Sequence, residues 1–289
     1  MLNMEKADTG DAKNDIYWVL FFILLIMVVW YFSGGPSRPA AKQGPFIENP
    51  SGKYSESLKK SPGANDSEKK SLYGAGTNLT AGRAAKNSSP QEEYLEIKTS
   101  TKNIGPVNIT GWVLKSESGK EITIGKGTSL PYLGQINQQE NILLEPGEKA
   151  LVTTGRSPIG INFRLNKCIG YFSQFQDFYP KLPNKCPHPI KNEMLPSSLD
   201  NACVDYINKN LKICLTYITL PFGLSNSCKE YINERINYNG CVSWHKKDTD
   251  FYNSEWRIYL NQEKELWNND IEKIILYNQN GEIVDWTAY

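Results

Sequence analysis

Six cysteines fall between Cys168 and Cys241, and two of them open a repeated motif. Cys203, Asp205, Tyr206, Ile207 and Asn208 align with Cys228, Glu230, Tyr231, Ile232 and Asn233, and each copy closes on a further cysteine, Cys214 or Cys241. Thiols in such a pattern can bind zinc, act as nucleophiles or cross-link the chain. Structural zinc sites bring their cysteines in pairs separated by only a few residues, a spacing absent here; Cys186-Pro187-His188 is the one suggestive neighbourhood. A catalytic thiol needs an adjacent base. The chain has two histidines, His188 between prolines and His245 between Trp244 and Lys246, and both read as surface loop residues. An even number of cysteines confined to one segment points instead to a disulfide framework in an oxidising compartment.

Pairing depends on the elements that carry the thiols. Leu199, Ala202, Cys203, Tyr206 and Ile207 recur at helical spacing, as do Cys228, Tyr231, Ile232 and Ile236. Ser197-x-x-Asp200 and Ser227-x-x-Glu230 both fit a capping box. A helix from Cys203 to Cys214 would separate the two thiols by roughly 16 Å, against the limit of about 7 Å between Cα atoms in a disulfide. Two antiparallel helices turning at Pro221 and Gly223 would pair Cys214 with Cys228 and Cys203 with Cys241, leaving Cys168 and Cys186 to close the loop between them; six cysteines admit other connectivities too. That loop carries Tyr171, Phe172, Phe175, Phe178 and Tyr179. These aromatics read as loop core beneath a disulfide or, if exposed, as a partner-binding patch.

Other chemistry is thin. Asp248-x-Asp250 has two carboxylates but lacks the rest of a calcium loop. Glu92-Glu93 reads as a solvated strand entry. Phosphate-binding, dinucleotide-binding and nucleophile-elbow motifs are absent from the sequence. No catalytic, cofactor-binding or metal-ligating residue is assigned, and no cofactor or small-molecule substrate is expected.

The remaining segments suggest where this framework is displayed. Ile16 to Phe32 reads IYWVLFFILLIMVVWYF, uncharged and without helix breakers. Tyr17 and Trp18 at one end and Trp30 and Tyr31 at the other suit the two interfaces of a bilayer. The reading is a tail over 1–15, a transmembrane helix over 16–33 and a C-terminal part outside the cytoplasm, with a cleaved signal peptide as the alternative. Residues 34–90 are rich in Gly, Pro, Ser, Asn and Lys, without periodicity, and read as a disordered linker. Its lysines and arginines either keep it soluble or attract it loosely to anionic surfaces. The chain's 289 residues, net charge of +1 and 39% hydrophobic content fit one or two domains with an unpacked stretch, and give no sign of a chain-wide nucleic-acid binder.

After residue 91 the texture changes. Leu95, Ile97 and Thr99 alternate, followed by apolar runs at 107–114, 122–124, 142–144 and 150–153, and again from Trp256 and at the C-terminus. Pro146-Gly147 suits a type II turn and Asn280-Gly281 a two-residue hairpin turn. The expected fold class is mainly β: a β-sandwich over 91–289, interrupted at about 163–252 by a disulfide-linked helical insert.

These strands carry a resemblance. EYLEIKTSTKNIGPVNITGWVLKSESGKEITI, with Gly111-Trp112, resembles the opening of a lamin tail domain. ILLEPGEKALVTTG, with Pro146-Gly147-Glu148, is similar to that family's turn before a central strand, and IILYNQNGEIVDWTAY, with Gly281 and Val284-Asp285, to its closing hairpin. The resemblance covers about 91–160 and 254–289 and implies an immunoglobulin-like sandwich. The coiled-coil rod and prenylation signal of nuclear lamins are missing, and the cysteine insert has no counterpart there. The chain is closer to prokaryotic exported proteins that display such a domain, where it serves binding or attachment. The expected function is a non-catalytic, membrane-anchored binding or structural module for a protein, glycan or nucleic-acid ligand. The alternative is an exported hydrolase with carboxylates between sandwich and insert.

Overall fold

The computed structural model describes residues 11–32, 76–190 and 196–289, with side chains from Tyr17 onward. Most of the expected linker, residues 34–75, lies outside them. The chain divides into two units, Met1–Asn65 and Asp66–Tyr289.

In the first unit, α1 (Asp11–Phe32) is a 22-residue helix. All of its described side chains, from Tyr17 to Phe32, are exposed. Among the described residues no helix is long and apolar enough to cross a membrane.

The second unit is a mixture of sheets and helices. In chain order its strands are β1 (Thr77–Thr80), β2 (Tyr94–Thr99), β3 (Val107–Asn108), β4 (Val113–Ser116), β5 (Glu121–Thr123), β6 (Leu143–Leu144), β7 (Lys149–Thr153), β8 (Phe163–Asn166), β9 (Tyr252–Tyr259), β10 (Lys273–Tyr277) and β11 (Ile283–Ala288). Helices α2 (Asn201–Asn210), α3 (Asn226–Arg235) and α4 (Tyr238–His245) lie between β8 and β9. One sheet has the order β1-β2-β7-β9-β8, a second β11-β10-β4-β5, and β3 pairs with β6. Every pairing between these strands is antiparallel except β7 with β9. Alternation dictates the packing. Leu95 and Ile97 of β2 and Trp256 and Ile258 of β9 share one buried cluster with Leu114 of β4, Ile274 and Leu276 of β10 and Val284 of β11. Each such side chain contributes about 1.5–3 kcal/mol of burial.

Several expectations are corrected here. The linker reading fails at its C-terminal end: β1 pairs with β2 from Thr77↔Thr99 to Thr80↔Glu96, and Ala85, in the 3-10 turn Arg83–Lys86, is buried. Leu79 N donates to Asp285 Oδ2 at 2.7 Å, and the Tyr289 hydroxyl donates to Ala85 O at 3.0 Å, so the last strand holds the first. The closing hairpin is present, but only Gly281 has positive φ, at 74°. Asn278 Oδ1 accepts from Asn280 N and Glu282 N, and the register slips beside Tyr277, so the turn is a bulged one rather than a two-residue loop. The 145–148 turn is as expected, closed by Glu148 N donating to Glu145 O at 2.9 Å. Glu93 is fully buried, not solvated. Its two carboxylate oxygens accept from Leu266 N (2.9 Å) and Trp267 N (3.2 Å), pinning the 266–267 loop to the start of β2.

The insert is not separate from the sheets. Its first residues are β8, an antiparallel partner of β9. Arg257 of β9 is almost wholly buried; it donates to Pro180 O (2.6 Å) and Lys181 O (3.4 Å) and pairs with Glu255 (2.7 Å). A guanidinium suits this role because its fixed fork reaches several acceptors at once.

Candidate functional site

All six cysteines are oxidised, but none of the expected pairs forms. The bonds are Cys168–Cys241, Cys186–Cys214 and Cys203–Cys228, with Cα separations of 5.8, 5.3 and 5.6 Å. The expected pairs Cys214–Cys228, Cys203–Cys241 and Cys168–Cys186 assumed a helix running to Cys214. Instead α2 stops at Asn210, because Leu211 turns extended with φ −90° and ψ 133°. Cys214 then sits in the left-handed region, φ 60°, and its sulfur joins Cys186 in a buried aromatic cluster. Gly170 faces this bond, and a Cβ there would lie 2.5 Å from Cys214 Sγ, so only glycine fits.

The caps explain the remaining pair. Neither Ser197 nor Ser227 caps a helix. Asp200 caps α2 by accepting from Cys203 N at 2.7 Å, and Ser225 caps α3 by accepting from Cys228 N at 3.4 Å. The Cys203 amide holds the Asp200 carboxyl below its ordinary range. Each first cysteine is thus the third residue of its helix, and the two N-terminal turns meet; Ser227 Oγ donates to Ser198 O at 3.2 Å. The repeated motif pairs with its own copy. Ile207, Tyr231, Ile232 and Ile236 complete a small core around that bond.

Of the five aromatics, Tyr171, Phe172 and Phe178 are buried, while Phe175 and Tyr179 are exposed. Phe172 packs on Tyr238 with ring centroids 4.4 Å apart, and Phe178 meets Phe163 of β8 at 5.9 Å. Burial pushes the Tyr171 hydroxyl up to about 12. They therefore divide between core and surface, and the buried three cannot meet a partner without unfolding.

The polar candidates are engaged within the chain. Lys167 Nζ lies 2.9 Å from Asp248 Oδ2 and also contacts Asp250, so the paired aspartates hold an ammonium group. Asp248 is held below the ordinary carboxylate range by Lys167 and then by His245, whose Nδ1 lies 2.9 Å away. His188 Nδ1 accepts from Ile190 N at 3.4 Å. Among the described residues no three His, Cys, Asp or Glu side chains are placed to hold a metal ion. Glu148 pairs with Arg164 of β8.

Two concavities among the described residues bear on binding. A polar cleft of about 190 Å³ is lined by Thr123, Lys126, Gln139, Asn162 and Asn261, among others. Asn162 is committed to structure, donating to Lys126 O (2.8 Å) and accepting from Tyr259 N (2.7 Å). Amides, the hydroxyls of Thr123 and Ser157 and one lysine there can hydrogen-bond a small polar group; the Ser157 hydroxyl donates to Ile161 O at 2.7 Å. A hollow of about 20 Å³ beside Pro187, Pro189, Arg235 and Trp244 is water-sized. Arg235 lies over the Trp244 ring at 3.6 Å.

Sequence reasoning passed over the loop between α2 and α3. Ile218 is 85% exposed and Phe222 fully so, either side of Pro221. The signal was the run ITLPFGL, apolar but without period, between polar helices. No protein-family model, curated protein or solved structure matches the chain.

Proposed function

We propose that this chain is a single-pass membrane-anchored protein whose Asp66–Tyr289 unit acts outside the cytoplasm as a non-catalytic binding or attachment module. The carrying observation is the closure of all six cysteines, without a free thiol, into three bonds inside that unit. Such a framework belongs to oxidising compartments. The uncharged run Ile16 to Phe32 within α1 supports the anchor: at about 1.5 Å per residue it spans roughly 26 Å, slightly short of the hydrocarbon thickness of about 30 Å.

The sandwich is read as immunoglobulin-like, of lamin-tail type. Trp112 is buried beside Gly111, the Pro146-Gly147 turn leads into β7, and Val284 is buried in the closing hairpin. The hydrolase reading finds less support. Glu93, Glu148 and Glu272 are buried, and each is spent on backbone amides or an arginine. A carboxylate so committed is poorly placed to exchange protons with a substrate.

Alkaline extraction of native membranes combined with protease treatment of intact cells tests the proposal. The chain should remain in the membrane pellet, and external protease should remove the second unit. Extraction into the alkaline supernatant, or full protection until the cells are lysed, would refute it.

A further inference from the structure

We propose that the loop between α2 and α3 is a membrane-contacting tip, with Ile218 and Phe222 seated among lipid headgroups. This rests on the anchored reading above.

The loop's base is fixed while its tip is bare. Thr216 N donates to Gln174 Oε1 at 2.7 Å and Gln174 Nε2 donates to Thr216 O at 2.9 Å; the Tyr217 hydroxyl accepts from Lys212 N at 2.7 Å. Cys214, bonded to Cys186, anchors the same stretch in the aromatic core. Beyond these fastenings Ile218 and Phe222 project into solvent at 85% and 101% exposure. Two large apolar side chains held out on a stapled base lose favourable burial unless something covers them.

Two observations select lipid as the cover. The first is charge. Lys229 Nζ lies 3.3 Å from Phe222 O, at the base of the tip, and Lys212, near the start of the same loop, is exposed. Apolar and aromatic tips framed by lysines are the composition that enters an anionic interface, the ring at headgroup depth and the ammonium groups at the phosphates. The second is tethering. Residues 33–75 join α1 to the second unit, and covalent geometry limits their reach to at most about 150 Å. Once α1 is inserted, the bilayer is a surface the tip meets constantly, so a weak contact is populated through effective concentration.

The test uses the full chain in vesicles of mixed phosphatidylcholine and phosphatidylserine. An environment-sensitive fluorophore is placed under non-reducing conditions on Phe222→Cys or, as a control, on Ser118→Cys in the exposed β4–β5 turn. Flotation is measured on the same samples, with doxyl-labelled lipid as quencher. The proposal expects blue-shifted, quenched emission at position 222, unshifted and unquenched emission at 118, and loss of the shift at 222 when Ile218→Ser is added. A floating chain whose 222 label is quenched no more than its 118 label overturns the tip and spares the anchor. A chain that fails to float overturns both.

Discussion

Glu93 shows how one residue can join distant parts of this chain. Burial pushes its carboxyl above the ordinary value of 4.5, while the amides of Leu266 and Trp267 pull the other way. A raised folded pKa means that the native chain retains a proton which the unfolded chain has already released above about pH 4.3. Stability therefore declines as pH rises from that value to the folded pKa, then levels off. Glu93→Gln has no proton to release. Its amide keeps one acceptor oxygen and turns an NH₂ group toward the other backbone donor, leaving a buried N–H without a partner at about 1–3 kcal/mol. The variant's deficit relative to the natural chain should thus be largest on the acid side and narrow as pH rises. Urea denaturation between about pH 4 and pH 7 reads this directly; a deficit independent of pH would show that Glu93 is not buried as a raised acid. From sequence, Glu92 and Glu93 are equivalent acids. What separates them is the loop that returns from residue 266, and nothing local encodes it.

At the scale of elements, legibility follows the source of each constraint. The alternation of Leu95, Ile97 and Thr99 is imposed by one buried face, so β2 is readable from its own residues. The short β1 has only Thr77 and Leu79 turned inward, within a polar, glycine-rich stretch, and is defined by its partner β2. The periodicity of Cys203, Tyr206 and Ile207 revealed α2 and the face it buries. It could not say that the chain leaves the helix at Leu211, and the pairing of every cysteine turned on that. Nor could it say that α3 ends at Arg235 and that a separate helix, α4, starts after Asn237. The Cys203–Cys228 bond carries the next prediction. Few side chains surround it, and it closes a separation of 25 residues, a loop for which chain entropy gives about 3–4 kcal/mol. A core that thin depends on its staple. Replacing both cysteines by alanine should abolish amide-exchange protection in α2 and α3 and leave β2, β7 and β10 protected. Retained protection in both helices would mean that packing alone holds them.

For the whole molecule, the disulfides tie the insert together at successive depths. Cys168–Cys241 bridges 73 residues, from the end of β8 to α4; Cys186–Cys214 fixes the middle loops, and Cys203–Cys228 the outer helices. The account of an exported sandwich with a stapled insert depends on that pattern and on its being formed where the protein works. The most direct measurement is peptide mapping of protein taken from native membranes, alkylated before digestion and never reduced. The account predicts three linked peptide pairs, Cys168 with Cys241, Cys186 with Cys214 and Cys203 with Cys228, and no alkylated cysteine. Six alkylated cysteines would contradict the oxidising location, and linkage of Cys203 to Cys241 or of Cys214 to Cys228 would contradict the fold of the insert.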